Sequence, residues 1–536
     1  MPPVVVTSEP IVKSDVTAVP FAAKVTPPPV VFVTASQDSS IAVTALKAGA
    51  ADYLVKDTQG EFIPLLQVAA EELDLGMHQV RTIQLDTNIT PDQQATSSSS
   101  SIHRGAPPLR AAAAEARQEL LARAARVLGV QTGSLIVNNG VVSVDGENEF
   151  RKVTYGQLIG DKPFNLKFTG TAPQKPIHKY KLVGTRVPRV DIPLKAAGKY
   201  THVQHLRVPG MLHGRVVLPR GQRSFGAGAR PIAVDEASIS HIPTAKVVRK
   251  GDFVGVVAER EWDAVKAARE LKVTWQDGPE LTGNDQLFER MKAEKTTDTL
   301  IADTGDRASA FARAAHVKGS AYRCPYQGHL PFAPNCALAE VSADKALVRS
   351  STQDVYSSRR QIADVLGMAP EKVRLVLGGV GGAFGAREDI SLQVHTCLLA
   401  LRAGRPVRMA YSRKESFLGH VHRHPCRIWM RHHADHDGRL LRVEARFVFD
   451  GGAYASTSPA VLINGVTHAQ GPYRCENATV DGWAVRTNNL PCGAMRGFGV
   501  VQACFAHEGQ MDKLAAALGI SPLEVRARNA METGDR

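Results

Sequence analysis

Charged and apolar residues alternate along Arg439–Phe449, the period-two pattern of a strand with one wet face. Elsewhere between 300 and 536, strands and helices alternate. The runs Ala346–Ser350, Val373–Leu377 and Pro406–Ala410 predict strands. Between them, Val355–Leu366 predicts a helix closed by Gly367, and Asp389–Leu401 a helix closed by Gly404. Upstream, across 181–280, short β-branched runs broken by glycine (Leu206–Val217, Val247–Ala258) precede one helix, Trp262–Leu271, and a strand, Val273–Trp275. That mixture predicts an α+β unit. Further upstream come a helix at Leu65–Leu73, a strand at Val80–Leu85 and a long helix at Leu109–Leu128. Val30–Thr34, Ser40–Gly49 and Asp52–Asp57 predict a strand, a helix and a strand. Residues 1–28 are rich in proline and valine and predict no domain. The chain is therefore expected to be a multidomain protein of mixed α+β and α/β class.

At 536 residues, three or four units are expected. The 43% hydrophobic and 22% charged residues are those of a globular protein. No apolar run reaches the roughly 18 residues of a membrane span. The start lacks a basic region followed by an apolar one, so no signal peptide is expected. Seven scattered cysteines lack the spacing of a zinc or iron–sulfur site and suggest reduced thiols in the cytoplasm. Of the net charge of +13, +7 falls in 402–446, which has ten arginines. Because those arginines alternate with apolar residues, they read as the wet face of strands, not as a nucleic-acid surface.

Two glycine-rich turns carry the candidate chemistry. One is Gly378–Glu388, with Phe384, Gly385 and Glu388; the other is Ala494–Gly499, with Arg496 and Phe498. Successive backbone N–H groups in such turns form a concavity for an anion. A phenylalanine and an arginine at fixed offsets can flank a flat, anionic, heteroaromatic ligand. The spacing is neither that of a dinucleotide fold nor that of a P-loop. A third segment, Thr90–Ile102, is rich in serine. Its composition suits a linker, and its place before a long helix suits anion binding. His420, His422 and His424 recur at period two, with His432, His433 and His436 nearby; no metal ligands are assigned to them.

The two glycine turns resemble those of the xanthine dehydrogenase/aldehyde oxidase family of molybdenum hydroxylases, in the large, molybdopterin-binding subunit. The resemblance runs over about 65–536 and implies these domains: a partial second molybdopterin-binding lobe at 67–180, an a/b hammerhead domain at 181–285 carrying Pro209-Gly-Met-Leu-His-Gly214, and the first molybdopterin-binding lobe at 300–536. It implies a molybdenum–molybdopterin cofactor, in its cytosine dinucleotide form. The implied cofactor contacts are Thr96, Ser97, Ser98, Ser99 and Ser101, Gln353 of Ser351-Thr-Gln353, Phe384, Gly385 and Arg496, with Gln502 a weaker one. Arg496 and Glu388 are the implied catalytic residues, and Phe498, Glu388 and His329 the implied substrate contacts. Ala386 and Arg387 stand where the family commonly has Gly-Lys. Gln353, Phe384 and Arg496, each beside a strand end, are expected to converge. The implied reaction is hydroxylation of an N-heterocycle of xanthine, hypoxanthine or nicotinate type, or of an aldehyde, with water as oxygen source. The implied partners are a separate [2Fe-2S] subunit and a FAD or cytochrome subunit.

No position matches the family's catalytic glutamate, which sits in a Gly-Glu-Pro-like turn. A truncated, non-catalytic remnant or cofactor-binding scaffold is therefore the alternative reading, and the isolated chain is expected to be inactive. Residues 29–66 resemble the second half of a receiver domain, with Thr34 and Lys56 at its switch and phosphate-binding positions. An acidic pocket is lacking there, so no phosphoryl transfer is expected, and a signalling protein is the third reading.

Overall fold

A computed structural model describes residues 63–535, apart from 81–84, 93, 147–150, 161–165, 167, 190, 220–228, 279–282 and 294–295. The receiver-like segment and its Thr34 and Lys56 lie outside the described residues. The chain divides into two compact units: one of residues 1–211, 336–382 and 404–408, the other of 212–335, 383–403 and 409–536.

In the first unit, the strand Ala346–Ser350 is followed by the helix Val355–Leu366 and the strand Val373–Leu377. The two strands pair in parallel, with Val348 opposite Leu375, and Cys336–Val341 adds an antiparallel neighbour. A helical crossover is what a parallel pair requires. Asp354 caps the helix through its side chain, and Gly367, at φ 68°, closes it. Asp86 binds Arg374 at 2.7 and 3.1 Å and bridges to Val376, which fixes the segment after 85 on this sheet.

A second helix, Ser101–Leu128, begins eight residues earlier than the sequence pattern suggests and runs through Pro107 and Pro108. Gly105, Leu109 and Ala113 repeat every four residues on its buried face, and that burial offsets the lost backbone bonds. The helix packs on Ile63–Glu72. A loop is tied down by two carboxylates. Glu71 accepts from the amides of Lys181, Leu182 and Val183, and Glu115 from those of Thr169, Gly170 and Thr171.

In the second unit a five-stranded sheet runs His316–Cys324, Cys426–Ala434, Leu440–Gly452, Ala478–Arg486, Thr296–Thr304. Its core of Ile428, Met430, Phe447 and Phe449 is covered by the helices Ser458–Thr467 and Val500–Leu518, through Val461, Leu462, Ala503 and Ala506. In the same unit Leu212–Val216, Phe253–Ala258 and Lys246–Lys250 pair side by side, all antiparallel, under the helix Glu261–Glu270.

Two expectations change here. The helix after the glycine turn starts at Gln393, not Asp389. Asp389 instead accepts the Ser456 hydroxyl on both oxygens, at 2.9 and 2.8 Å, so it serves a turn. The arginines of 402–446 do not all face water. Arg408, Arg423 and Arg442 are buried. Arg408 reaches the Gln204 carbonyl, Arg442 reaches Thr479 and Glu444, and Arg423 enters the candidate site. Burying a guanidinium is tolerable when acceptors replace its water.

Candidate functional site

In the first unit, the chain from Asp86 reaches Thr96, where it is clipped to Gln353. The Thr96 amide donates to the Gln353 carbonyl (2.9 Å), and Gln353 Nε2 donates to the Thr96 carbonyl (2.7 Å). Next comes a tight turn in which Ser100 N–H donates to the Ser97 carbonyl (3.2 Å). Ser98 and Ser99 both take left-handed φ, 56° and 52°. Such angles suit glycine or asparagine and strain other residues. The serine run is therefore an ordered turn, and it leads directly into the N-terminus of the helix Ser101–Leu128, where the first backbone N–H groups lack intrahelical acceptors and the positive pole of the helix lies. The hydroxyls of Ser98 and Ser99 are exposed. Those of Thr96 and Ser351 are buried without a hydrogen-bond partner. A polar ligand rich in acceptors fits such a donor set, so these residues fit a molybdopterin.

In the second unit, the two glycine turns pair. Arg496 N–H donates to the Phe384 carbonyl (2.9 Å). Phe384 has φ 60° and Gly385 φ 104°; Gly497, Phe498 and Gly499 have 87°, 46° and 95°. A Cβ on Gly385 would overlap the Ala494 carbonyl, so the two turns are in close backbone contact. The Phe384 side chain is 42% exposed and Arg496 is exposed, whereas Phe498 is half-buried against the core of the five-stranded sheet. Glu388 lies in the first turn, its amide donating to the Gly385 carbonyl (3.2 Å). It stands five residues before the helix Gln393–Ala403, so the helix dipole has no part in placing it. Bulky residues held at positive φ are the kind of local strain that persists where the surroundings over-determine it.

Beneath these turns lies a cluster of imidazoles. His329 Nε2 donates to the Ala494 carbonyl (2.7 Å), and the His329 ring lies edge-on to His420 at 5.4 Å. His420 and His422 are 5.5 Å apart, while His424 turns to the Ser458 hydroxyl (2.8 Å). The three imidazoles therefore do not act as one strand face. Burial pushes His329 down to about 4, and burial also lowers His420 and His422. Burial lowers Arg423 as well, and raises the Asp389 carboxyl against the pull of Ser456. Among the described residues no group of three or more His, Cys, Asp or Glu is placed to hold a metal ion. Gln502, buried, donates to the His424 carbonyl (3.1 Å).

The structure thus joins Phe384, Gly385, Glu388, Arg496 and Phe498 in one unit, and Thr96, Ser97, Ser98, Ser99, Ser101 and Gln353 in the other. Sequence reasoning did not single out Ser351, Arg423 or Asn464, whose Nδ2 donates to the Phe498 carbonyl (2.7 Å). Ser351 opens the Ser-Thr-Gln motif that ends in Gln353; Arg423 and Asn464 carry no local signal.

In one unit strained glycine turns flank an arginine, and in the other serine hydroxyls precede a helix start; each set offers the kind of groups that an anionic, acceptor-rich cofactor would use. Comparison with known proteins agrees. Family models described as molybdopterin cofactor-binding domain match residues 291–530 and 39–238. The nicotinate dehydrogenase large molybdopterin subunit of Eubacterium barkeri is 35% identical over 54% of this chain and 70% of its own length. A nicotinate dehydrogenase subunit of Pseudomonas putida is 32% identical over 87% of this chain, which spans 40% of that protein. The solved quinoline 2-oxidoreductase of Pseudomonas putida 86 shares 26% identity with a TM-score of 0.56, covering 66% of this chain and 50% of that one. The chain belongs to the molybdenum hydroxylase family and carries its molybdopterin cofactor-binding domains.

Proposed function

We propose that this chain takes part in hydroxylating an N-heterocycle or an aldehyde with oxygen from water, passing electrons to a separate iron–sulfur subunit. The observation that carries this is the Arg496–Phe384 backbone bond, which pairs a guanidinium and two strained aromatics on adjoining turns. The bound molybdopterin supplies the two-electron redox chemistry. This chain's residues bind, orient and tune. Gln353 and the hydroxyls of Thr96, Ser97, Ser98, Ser99 and Ser101 hold the cofactor in this reading, with Phe384 and Gly385 approaching it. Arg496 steadies negative charge that develops on the substrate. The Phe498 ring gives a flat substrate an aromatic wall. Glu388 accepts from a ring N–H. The names of the two nicotinate dehydrogenase relatives favour a nicotinate-type substrate.

The test is to purify the chain with its natural partners, supply nicotinate, xanthine, hypoxanthine and benzaldehyde with an artificial electron acceptor in ¹⁸O-water, and look for labelled product. Labelled product from one of them is expected; none, from a cofactor-loaded complex, contradicts the proposal. Release of CMP on mild hydrolysis supports the cytosine dinucleotide form, and loss of activity without the iron–sulfur subunit supports that partner.

A further inference from the structure

Three alternate carbonyls of one strained turn are each held by a side chain from elsewhere in the chain. The Ala494 carbonyl accepts from His329 Nε2 (2.7 Å), the Arg496 carbonyl from Arg423 Nη2 (2.7 Å), and the Phe498 carbonyl from Asn464 Nδ2 (2.7 Å). A backbone at φ 87°, 46° and 95° over Gly497–Gly499 does not hold itself. Its own internal bonds are short-range: Phe498 N–H to the Met495 carbonyl (2.7 Å) and Val500 N–H to the Gly497 carbonyl (2.9 Å). The three donors come from unlike places. His329 and Gln327 share a loop, Arg423 lies beside that loop, and Asn464 lies on the helix Ser458–Thr467.

Arg423 is the centre of this arrangement. Its side chain is 5% exposed. Its Nε donates to Gln327 Oε1 (2.7 Å), and its amide donates to the Gln327 carbonyl (3.0 Å). The guanidinium is thus pinned along its length, with Nη2 aimed at the Arg496 carbonyl. Both side-chain acceptors are neutral, so its charge strengthens the two hydrogen bonds. His329 is fixed in the same way. A carbonyl can only accept, so Nε2 carries the proton and the ring holds one tautomer.

We infer that His329, Arg423 and Asn464 are positioning residues that set the Arg496–Phe498 turn, and through it the direction of the Arg496 guanidinium and the Phe498 ring. They need touch neither cofactor nor substrate to do so. The consequence for catalysis rests on the function proposed above; the consequence for the turn does not.

The test is hydrogen–deuterium exchange on the full chain, without cofactor, comparing wild type with Arg423→Met, Arg423→Lys and Asn464→Leu. Removing a charge-assisted bond in Arg423→Met is expected to speed exchange of the amides of Arg496, Phe498 and Val500 roughly ten- to hundred-fold. Lysine reaches one of the two acceptors, so Arg423→Lys is expected to fall between. Asn464→Leu, similar in size, is expected to speed Phe498 and Val500 by a few-fold, on the order of one neutral hydrogen bond. The paired strands Cys426–Ala434 and Leu440–Gly452 should exchange as in wild type. Unchanged exchange at 496–500 in folded Arg423→Met overturns the inference. If that variant does not fold, wild-type exchange in Asn464→Leu overturns it instead. In the loaded complex, the same variants are expected to lower kcat/KM with the cofactor content unchanged. Altered exchange with no hydroxylase activity even in wild type would overturn the proposed function and leave the positioning role standing.

Discussion

Gly385→Ala perturbs the contact on which the paired turns depend. At φ 104°, alanine enters a region that costs of order 1–3 kcal/mol. Its Cβ would also overlap the Ala494 carbonyl oxygen and carbon and come within 3.0 Å of the Met495 Cα. These are backbone atoms, so one turn must move away from the other. That movement stretches the Arg496–Phe384 bond and the His329–Ala494 bond, each worth about 0.5–1.5 kcal/mol net. The sum is about 2–6 kcal/mol, against a domain stability of about 5–15 kcal/mol. The variant is therefore expected to fold with a lowered midpoint, while Arg496 and Phe498 are displaced. A misplacement near 1 Å costs on the order of 10²-fold in rate. Gly404→Ala is the control. Gly404 has φ 62°, yet no atom lies within 4 Å of a Cβ built there, so that variant carries strain alone. The assay is a denaturant melt of both variants, with turnover of the loaded complex. Equal losses in stability and rate for the two would refute the close-contact argument.

Acid should unfold the chain early. His329 lies near 4 and His424 and His432 near 3 in the fold, all lowered first by burial, against about 6.5 when unfolded. Between pH 6.5 and 4 the unfolded chain binds protons that the folded one refuses, so stability falls as pH falls, by about 1.4 kcal/mol per group per pH unit; denaturant melts that do not change from pH 7.5 to 5 contradict this. Asp450 is buried and accepts from Tyr326 (2.9 Å), Gly452 (2.9 Å), Thr487 (2.7 Å) and Asn489 (2.8 Å). Asp450→Asn turns one oxygen into a donor facing donors and should cost about 2–4 kcal/mol, read as a shift in the melting midpoint. Replacing Ser98 and Ser99 with glycine relieves two left-handed residues, so stability should hold or rise; cofactor content should nonetheless fall, because the hydroxyls are gone. Full cofactor retention would show that those hydroxyls do not hold it.

Local pattern accounts for the elements that were legible in the sequence. Ala346–Ser350, Val355–Leu366 and Val373–Leu377 occur at the bounds their periodicity predicts, with Gly367 left-handed at the helix end. The long helix begins at Ser101, before the Leu109 that the pattern predicts, because burial of Gly105 and Leu109 carries it through Pro107 and Pro108. Asp389 misled because its hydrogen bond to Ser456 is set by tertiary structure. Arg442 breaks the expectation of a wet face because the fold brings Thr479 to it from the neighbouring strand, beside Glu444 two residues along its own. At the candidate site, Phe384, Glu388, Arg496 and Phe498 stand out in the sequence through their glycine turns. The hydrogen bonds that hold those turns do not: His329 stands out only as an implied substrate contact, and its bond to the Ala494 carbonyl spans 165 positions. The clip between Gln353 and Thr96 spans 257 positions, yet both ends were legible, because each lies in a motif of its own.

Metal and pterin content tests the central claim most directly. The full chain, produced with its natural partners in a host that makes molybdenum cofactor, is purified and analysed for molybdenum and for fluorescent pterin after oxidation. Equimolar molybdenum and pterin are expected, with both lost when Gln353→Ala is combined with glycine at Ser98 and Ser99. A folded wild-type chain that carries neither would contradict the account.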